Sequence, residues 1–94
     1  MAVLINATLV AKNKVTRIDG RGENKVIYEL DLNVDNGVPI KAIAFFPVGR
    51  NFRCMLPGDK VEIGVQTETY KWCSSMGDID LLTENVIIYV ERIK

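Results

Sequence analysis

The sequence predicts an all-β domain, a small five-stranded barrel, from three observations. First, apolar and polar residues alternate with a period of two along several segments, which is typical of strands with one face in a core. Second, these segments are separated by turn residues such as glycine, proline and asparagine. Third, the 94 residues are 48% hydrophobic, which is enough for one modest core. We therefore expect a single domain over residues 1–94.

The first strand is predicted over residues 3–11 (VLINATLVA) and continues through Val15 to Ile18. Leu4 and Val10 fall on its outer side, where loops of the same chain or a second subunit would cover them. A glycine-rich turn, DGRGEN, follows at residues 19–24. The residues expected on the core face are Val3, Ile5, Ala7, Leu9 and Ala11.

The second strand, residues 25–35 (KVIYELDLNVD), shows the clearest alternation, and Asn36-Gly37 is a strong hairpin signal after it. The third strand returns over residues 38–46, with Phe45 on the outer face and Phe46 towards the core. Glu29, Asp31 and Asn33 are predicted to face outwards. The other core residues of this hairpin are expected to be Val26, Tyr28, Leu30, Leu32, Val34, Ile40, Ala42 and Ala44.

Residues 47–56 interrupt the alternation and predict a short helix or turn. Phe52, Met55 and Leu56 are expected to close the barrel from below, while Arg50 and Arg53 face outwards.

The fourth strand begins after the turn Pro57-Gly58-Asp59, and Val61, Ile63 and Val65 supply its core face. Gly64 lies inside it and indicates a bulge or bend. The strand ends in Tyr70-Lys71-Trp72, before a polar hairpin tip and a fifth strand over residues 79–93. Strands in this order, with a break between the third and fourth, fit a five-stranded Greek-key barrel, the OB-fold. A small β-sandwich is the alternative, but it gives the 47–56 break no role.

Composition excludes several classes of function. Twelve basic and twelve acidic residues leave a net charge of +0, so the chain has no overall cationic field. Histidine is absent, and Cys54 and Cys73 match no metal-ligand spacing, so we expect free thiols, with a disulfide as the alternative. No nucleophile–base pair or phosphate loop is present, which argues against an enzyme, a cofactor, a metal or a small-molecule substrate. No apolar run approaches the ~20 residues that span a bilayer, so a cytoplasmic protein without a membrane partner is expected.

The charges are segregated along the chain, which favours a binding surface. Basic residues gather in 12–25 and 41–60, whereas acidic residues gather in 26–40 and after residue 78. Single-strand binders combine such a basic groove with aromatic stacking platforms. The candidate phosphate ligands are Lys12, Lys14, Arg17, Arg21, Lys41, Arg50, Arg53 and Lys71, and the candidate platforms are Phe45, Tyr70 and Trp72. Core packing is the alternative role for each ring.

Several segments resemble the bacterial and phage single-stranded DNA-binding protein family: LINATL at residues 4–9, KAIAFFPVGRNF at 41–52, PGDKVEIG at 57–64, and Trp72. The resemblance implies an OB-fold that acts in DNA replication or recombination, in a minimal, phage-like version without the family's acidic tail. The chain departs from the family at Pro39, where an aromatic residue is usual. Trp72 lies one residue further from Gly64 than the pattern has it, and Glu29 and Asp31 place negative charge on the binding face.

The expected function is therefore non-catalytic binding of single-stranded DNA without sequence specificity, by a homodimer or higher oligomer. An RNA-binding OB domain is an alternative, because stacking and phosphate contacts do not read the 2′-hydroxyl. The other alternative is a protein-interaction or assembly module, in which the same aromatic residues meet a partner chain.

Overall fold

The computed structural model describes residues 2–35 and 37–93, and these residues fold into five strands with a short 3-10 turn between the third and fourth. The strands are β1 (Val3–Asp19), β2 (Asn24–Val34), β3 (Pro39–Phe45), β4 (Lys60–Cys73) and β5 (Ile79–Arg92), and the 3-10 turn spans Val48–Phe52. The predicted all-β class and the helical break are confirmed. No helix in the described residues is long and apolar enough to cross a membrane.

The strands close into one barrel in the order β1-β2-β3-β5-β4, and β4 returns to β1. β1 pairs with β4 in parallel, whereas β1–β2, β2–β3 and β4–β5 are antiparallel. Within residues 2–35 and 37–93, the barrel closes on its other side through one parallel pairing, Ile43 of β3 with Val86 of β5. This order is that of an OB-fold-like barrel rather than of a sandwich of two sheets.

The barrel interior follows the alternation of the sequence. Tyr28, Leu30 and Leu32 of β2 are buried, and so are Ala42 and Ala44 of β3. Outward residues lie between them because successive side chains of a strand point to opposite faces. The remaining buried residues of this interior are Ala7, Leu9, Phe52, Met55, Val61, Ile63 and Ile87.

The segment beneath the barrel was predicted correctly for two of its three apolar residues. Phe52 is fully buried and Met55 is 6% exposed, but Leu56 is 66% exposed, so its predicted place in the core is wrong. The backbone at Leu56 is held in a tight turn, since its N–H donates to the Asp59 carboxylate and its carbonyl accepts from the Asp59 N–H. Gly58 then donates to the Leu9 carbonyl, which fixes this turn against β1 with the Leu56 side chain outside.

Two predicted core residues of β1 are also on the surface. Val3 is 58% exposed at the start of the strand, and Ala11 is exposed because the pairing with β2 shifts between Leu9 and Ala11. That shift marks an irregularity at Val10, which ends the simple alternation that the sequence suggested.

The other irregularity lies where the glycine of β4 predicted it. Gly64 pairs with Tyr89, but Val65 pairs with Ile87, so Ile88 is the extra residue of β5. Ile88 and Tyr89 are exposed in consequence, 42% and 40% respectively.

Of the predicted hairpin turn between β2 and β3, Asn36 lies outside the described residues, while Gly37 has a φ of +78° and donates to the Val34 carbonyl.

Two hairpins extend beyond the barrel interior: the first arm (residues 15–27, from β1 and β2) and the second arm (residues 67–85, from β4 and β5). Their tips meet through Ile18 with Cys73 and Asp19 with Trp72 in the β1–β4 pairing. Gly20 donates its N–H to the Lys71 carbonyl at 3.0 Å. A side chain at Gly20 would place its Cβ 2.9 Å from the Cβ of Lys71, so this junction requires glycine.

Candidate nucleic-acid interface

The aromatic residues singled out in the sequence meet on the outer face of the barrel. Phe45 of β3 points away from the interior because its neighbour Ala44 is fully buried inside. Its ring lies 6.0 Å from that of Trp72 with an interplanar angle of 13°, and 5.1 Å from that of Tyr70 with an angle of 68°. The ring centroids of Tyr70 and Trp72 are 6.1 Å apart. The structure therefore brings the predicted platforms Phe45, Tyr70 and Trp72 into one cluster.

This outer cluster is a small hydrophobic core of its own. The rings pack against apolar residues from β1, β2, β3 and β5, namely Val15, Ile27, Ile43 and Val86. Trp72 is only 6% exposed, whereas Phe45 and Tyr70 are half-buried. Burial and the nearby Glu68 charge raise the pKa of the Tyr70 phenol. Trp72 thus supports the cluster from within, and Phe45 and Tyr70 keep part of their rings accessible.

Arg17 covers the indole of Trp72, with its guanidinium carbon 5.0 Å from the ring centre. The guanidinium donates to Glu84 at 2.6 and 3.1 Å and to Glu29 at 2.8 Å. Burial alone would lower the pKa of Arg17, but the hydrogen bonds and charges of Glu84 and Glu29 outweigh it and raise that pKa. The positive charge of this predicted phosphate ligand is therefore balanced inside the protein.

A second predicted phosphate ligand also has partners of its own. Lys12 donates to the carbonyls of Phe52 and Arg53, each at 2.8 Å, and so ties β1 to the end of the 3-10 turn. Lys14 lies nearby, with its ammonium 6.0 Å from the centre of the Phe46 ring. Arg50 and Arg53 are exposed on the same segment, as predicted. Exposed cations therefore gather around the 3-10 turn at one side of the barrel.

The remaining basic residues lie elsewhere. Arg21 is exposed in the turn after β1, and Lys71 is exposed beside Gly20 at the junction of the two arms. Lys41 is exposed on β3, directly across from Asp31 of β2. The predicted basic residues form separate groups around the molecule rather than one continuous stripe.

A cleft of about 480 Å³ lies between the arms, over the outer faces of β2 and β3. Its lining is polar and mixed in charge. Three cations, Lys12, Arg17 and Lys41, face three carboxylates, Glu29, Asp31 and Glu84, and the other lining residues are Ala11, Asn13, Leu30, Ala42, Ile43, Thr67, Thr83 and Asn85.

Sequence reasoning missed the apolar residues beneath the aromatic cluster and the acid that holds Arg17. Ile27 and Ile43 lie on the polar faces of their strands yet are 0% and 2% exposed. An isoleucine on an otherwise charged face was the available signal for a second cluster. Glu84 carried no such signal, because its contact with Arg17 joins residues 67 positions apart.

The sequence matches no protein-family model and no curated protein. Among solved structures, the chain is similar to the mitochondrial single-stranded DNA-binding protein Rim1 of S. cerevisiae, with a TM-score of 0.50 and 13% sequence identity. The match covers 90% of this chain and 95% of Rim1. Similarity at this level of identity concerns the fold. The chain therefore has an OB-fold barrel that is structurally similar to a single-stranded DNA-binding protein.

Proposed function

We propose that the protein binds single-stranded DNA without requiring a defined sequence, in replication or recombination. The observation that carries this proposal is the aromatic cluster of Phe45, Tyr70 and Trp72, which lies outside the barrel interior and between the two arms. Phe45 and Tyr70 are only half-buried there, so part of each ring is open to a ligand. The structural similarity to Rim1, itself a single-stranded DNA-binding protein, supports the proposal at the level of the fold.

In this proposal, the half-buried rings of Phe45 and Tyr70 supply the surface on which bases stack. Each stacked base contributes about 1–3 kcal/mol, with little dependence on sequence. Trp72 holds Phe45 from beneath in a nearly parallel arrangement, so the platform is rigid before the strand binds.

Phosphate contacts are assigned to the cations that have no carboxylate partner within the described residues. Arg53 and Lys14 lie beside the 3-10 turn, and Lys71 and Arg21 lie at the tips of the arms. Arg17 instead keeps its place between Glu29 and Glu84, where its charge is already balanced.

The test is a fluorescence anisotropy titration with labelled oligo-dT of about 30 nucleotides at several salt concentrations. Binding should weaken as salt rises, with a log–log slope of roughly −0.7 for each phosphate neutralised. The absence of binding at low salt, or an affinity independent of salt, would contradict the proposal. The same titration with oligo-U distinguishes DNA from RNA as the preferred ligand.

A protein-interaction module is a second candidate, and it rests on a different surface. Leu4, Gly64 and Tyr89 are register partners across β1, β4 and β5, on the outside of the barrel. Leu4 is 64% exposed, and the neighbouring Ile88 and Tyr89 are also on the surface. This apolar row favours pairing with another chain, and we propose a second copy, giving a homodimer or higher oligomer. Self-association is compatible with DNA binding, since the row and the aromatic cluster are separate surfaces.

A further inference from the structure

The cleft between the arms holds six charged side chains, and most of them already have partners. Arg17 is bound to Glu29 and Glu84, which accounts for three of them. Lys12 donates to two backbone carbonyls at 2.8 Å. Asp31 and Lys41 are left, and among the described residues no salt bridge involves either side chain.

Asp31 and Lys41 are neighbours by register. They pair directly across β2 and β3, and both are exposed on the outer face of the barrel. Side chains opposite each other in an antiparallel pair have Cβ atoms about 4.5–5.5 Å apart. Asn85 donates its side-chain N–H to the Lys41 carbonyl at 3.0 Å and so fixes the backbone of β3 at this position. Asp31 therefore places a hydrogen-bond acceptor beside the donor of Lys41, on a strand whose backbone is held in place.

The same two residues border a second hollow of about 420 Å³. Apolar residues make up much of its remaining lining, notably Val10, Pro39 and Ile40. A planar base can rest its face on this apolar surface and present its edge to the pair. The apolar surface and the charged pair beside it therefore suit a nucleobase.

An ionised aspartate only accepts hydrogen bonds, and a lysine ammonium only donates them. The matching base edge has a donor next to an acceptor. Cytosine offers its N4 amino group beside the N3 acceptor, and a carboxylate that accepts from this amino group is an established pairing. Thymine presents the reverse order, with its O4 acceptor in place of the amino group and its N3–H donor in place of the N3 acceptor, so a strand bound in the same direction sets O4 against the carboxylate.

We propose that Asp31 and Lys41 read the edge of one base and give the protein a preference for cytosine over thymine. This inference rests on the proposed binding of single-stranded DNA. It makes Asp31 a residue that determines base preference, although the acidic side chain weakens attraction to phosphates.

The experiment compares oligo-dC with oligo-dT of equal length by fluorescence anisotropy, at one salt concentration and neutral pH. The wild type should bind oligo-dC roughly fivefold to tenfold more tightly, the discrimination expected from one charged hydrogen bond to a base. Asp31→Asn should remove most of this preference, because an amide presents a donor as well as an acceptor. Asp35→Asn is the matched control: it removes the same charge from an exposed aspartate just beyond β2, outside both hollows. It should keep the ratio of the two affinities unchanged.

Equal affinities for the two oligonucleotides, or tighter binding of oligo-dT by the wild type, would overturn the inference and leave the proposed function standing. A preference that survives in Asp31→Asn would also overturn it, because the carboxylate would then not be the source of the preference. Absence of binding to both oligonucleotides would remove the proposed function, and the base preference with it.

Discussion

The guanidinium of Arg17 lies over the ring of Trp72, at 5.0 Å, while it donates hydrogen bonds to Glu29 and Glu84. These four residues come from β1, β4, β2 and β5, so one side chain connects both arms of the molecule. Arginine suits this position because its planar guanidinium stacks on an aromatic face and still presents donors at its edge. The contact is therefore a structural clamp over the aromatic cluster.

Replacing Arg17 with methionine should lower the free energy of unfolding by about 1–3 kcal/mol, between the values for exposed and buried ion pairs. The variant leaves Glu29 and Glu84 facing each other without a cation. Urea denaturation measures the change. Lys25→Met is the control, since its pair with Glu23, at 3.5 Å, is exposed and should be worth less than about 0.5 kcal/mol. Equal losses in the two variants would show that the Arg17 clamp contributes no more than a surface pair.

The indole N–H of Trp72 is buried and has no hydrogen-bond partner in the described residues. Leaving such a group unpaired costs about 1–3 kcal/mol. Trp72→Phe removes it and keeps a ring against Phe45, so the stability should change by less than about 1 kcal/mol. Trp72→Ala should cost about 3–5 kcal/mol, because it empties the cluster. Thermal unfolding of the two variants distinguishes these outcomes, and a tolerated Trp72→Ala would mean that the ring is not needed for packing.

The strands and the barrel interior were predictable from local pattern, as Tyr28, Leu30 and Leu32 show. The period of two in β2 is a property of the strand itself. It places these three side chains on one face of the strand, which is the face that the barrel encloses. The outward phase of Phe45 followed in the same way. Leu56 was assigned incorrectly because its exposure depends on hydrogen bonds of the turn to Asp59 and not on alternation.

The candidate site was less predictable, because it depends on contacts between distant parts of the chain. Trp72 was identified as a ring beside a cation, but its burial arises from two arms that meet at Ile18 and Cys73. The partners of Arg17 could not be inferred, since Glu84 lies on a strand that pairs with neither β1 nor β2. Local patterns predict on which face of its strand a side chain lies, whereas contacts between distant parts of the chain determine whether that side chain is buried.

The salt dependence of the proposed DNA binding should identify which cations contact phosphates. Arg53→Ser should reduce the magnitude of the log–log salt slope by roughly 0.7, the value for one phosphate contact on a single strand. Arg92→Ser removes another exposed arginine, one that already pairs with Asp59 at 3.9 Å, and should leave the slope unchanged. Anisotropy titrations at four or more salt concentrations give both slopes. An identical effect in the two variants would indicate attraction by net charge rather than a defined contact.

Asp19 should make the stability of the first arm depend on pH. Its carboxylate accepts from the backbone N–H groups of Glu23 and Arg21, both at 2.9 Å. These bonds, that of Glu23 first, lower the pKa of Asp19 below its ordinary value of 3.8. A lowered pKa in the folded state stabilises the fold above that ordinary value, and the contribution is lost as the pH falls through the folded value.

Melting temperatures between about pH 5 and pH 2 test this expectation. Near pH 5, Asp19→Asn should melt at a lower temperature than the wild type. The two melting temperatures should converge as the pH approaches about 2. Asp80→Asn, which removes an exposed carboxylate from β5, is the control and should follow the wild type. A difference between Asp19→Asn and the wild type that is the same at every pH would rule out a role for the charged form.

Leu4→Glu should disrupt self-association, because Leu4 is the most exposed residue of the apolar row beside Gly64. Val10→Glu is a control that places the same charge on β1, six residues away and outside the row, about 20 Å along the strand. Light scattering of the wild type and both variants gives the masses. A monomeric wild type would exclude the homodimer, and a dimer that Val10→Glu disrupts instead would place the interface further along the outer side of β1.

The junction at Gly20 has a consequence for how the molecule opens. The barrel strands are held by pairing along their lengths, whereas the tips of the arms, beyond the Arg17–Glu84 ion pair, are joined in the described residues by the short contact of residues 18–20 with 71–73. A unit held by few contacts opens at lower free energy than the domain that carries it. Amide protons near the arm tips should therefore exchange with solvent well before those of the barrel strands. The tips are then expected to open and re-close while the barrel and the Arg17 clamp remain in place.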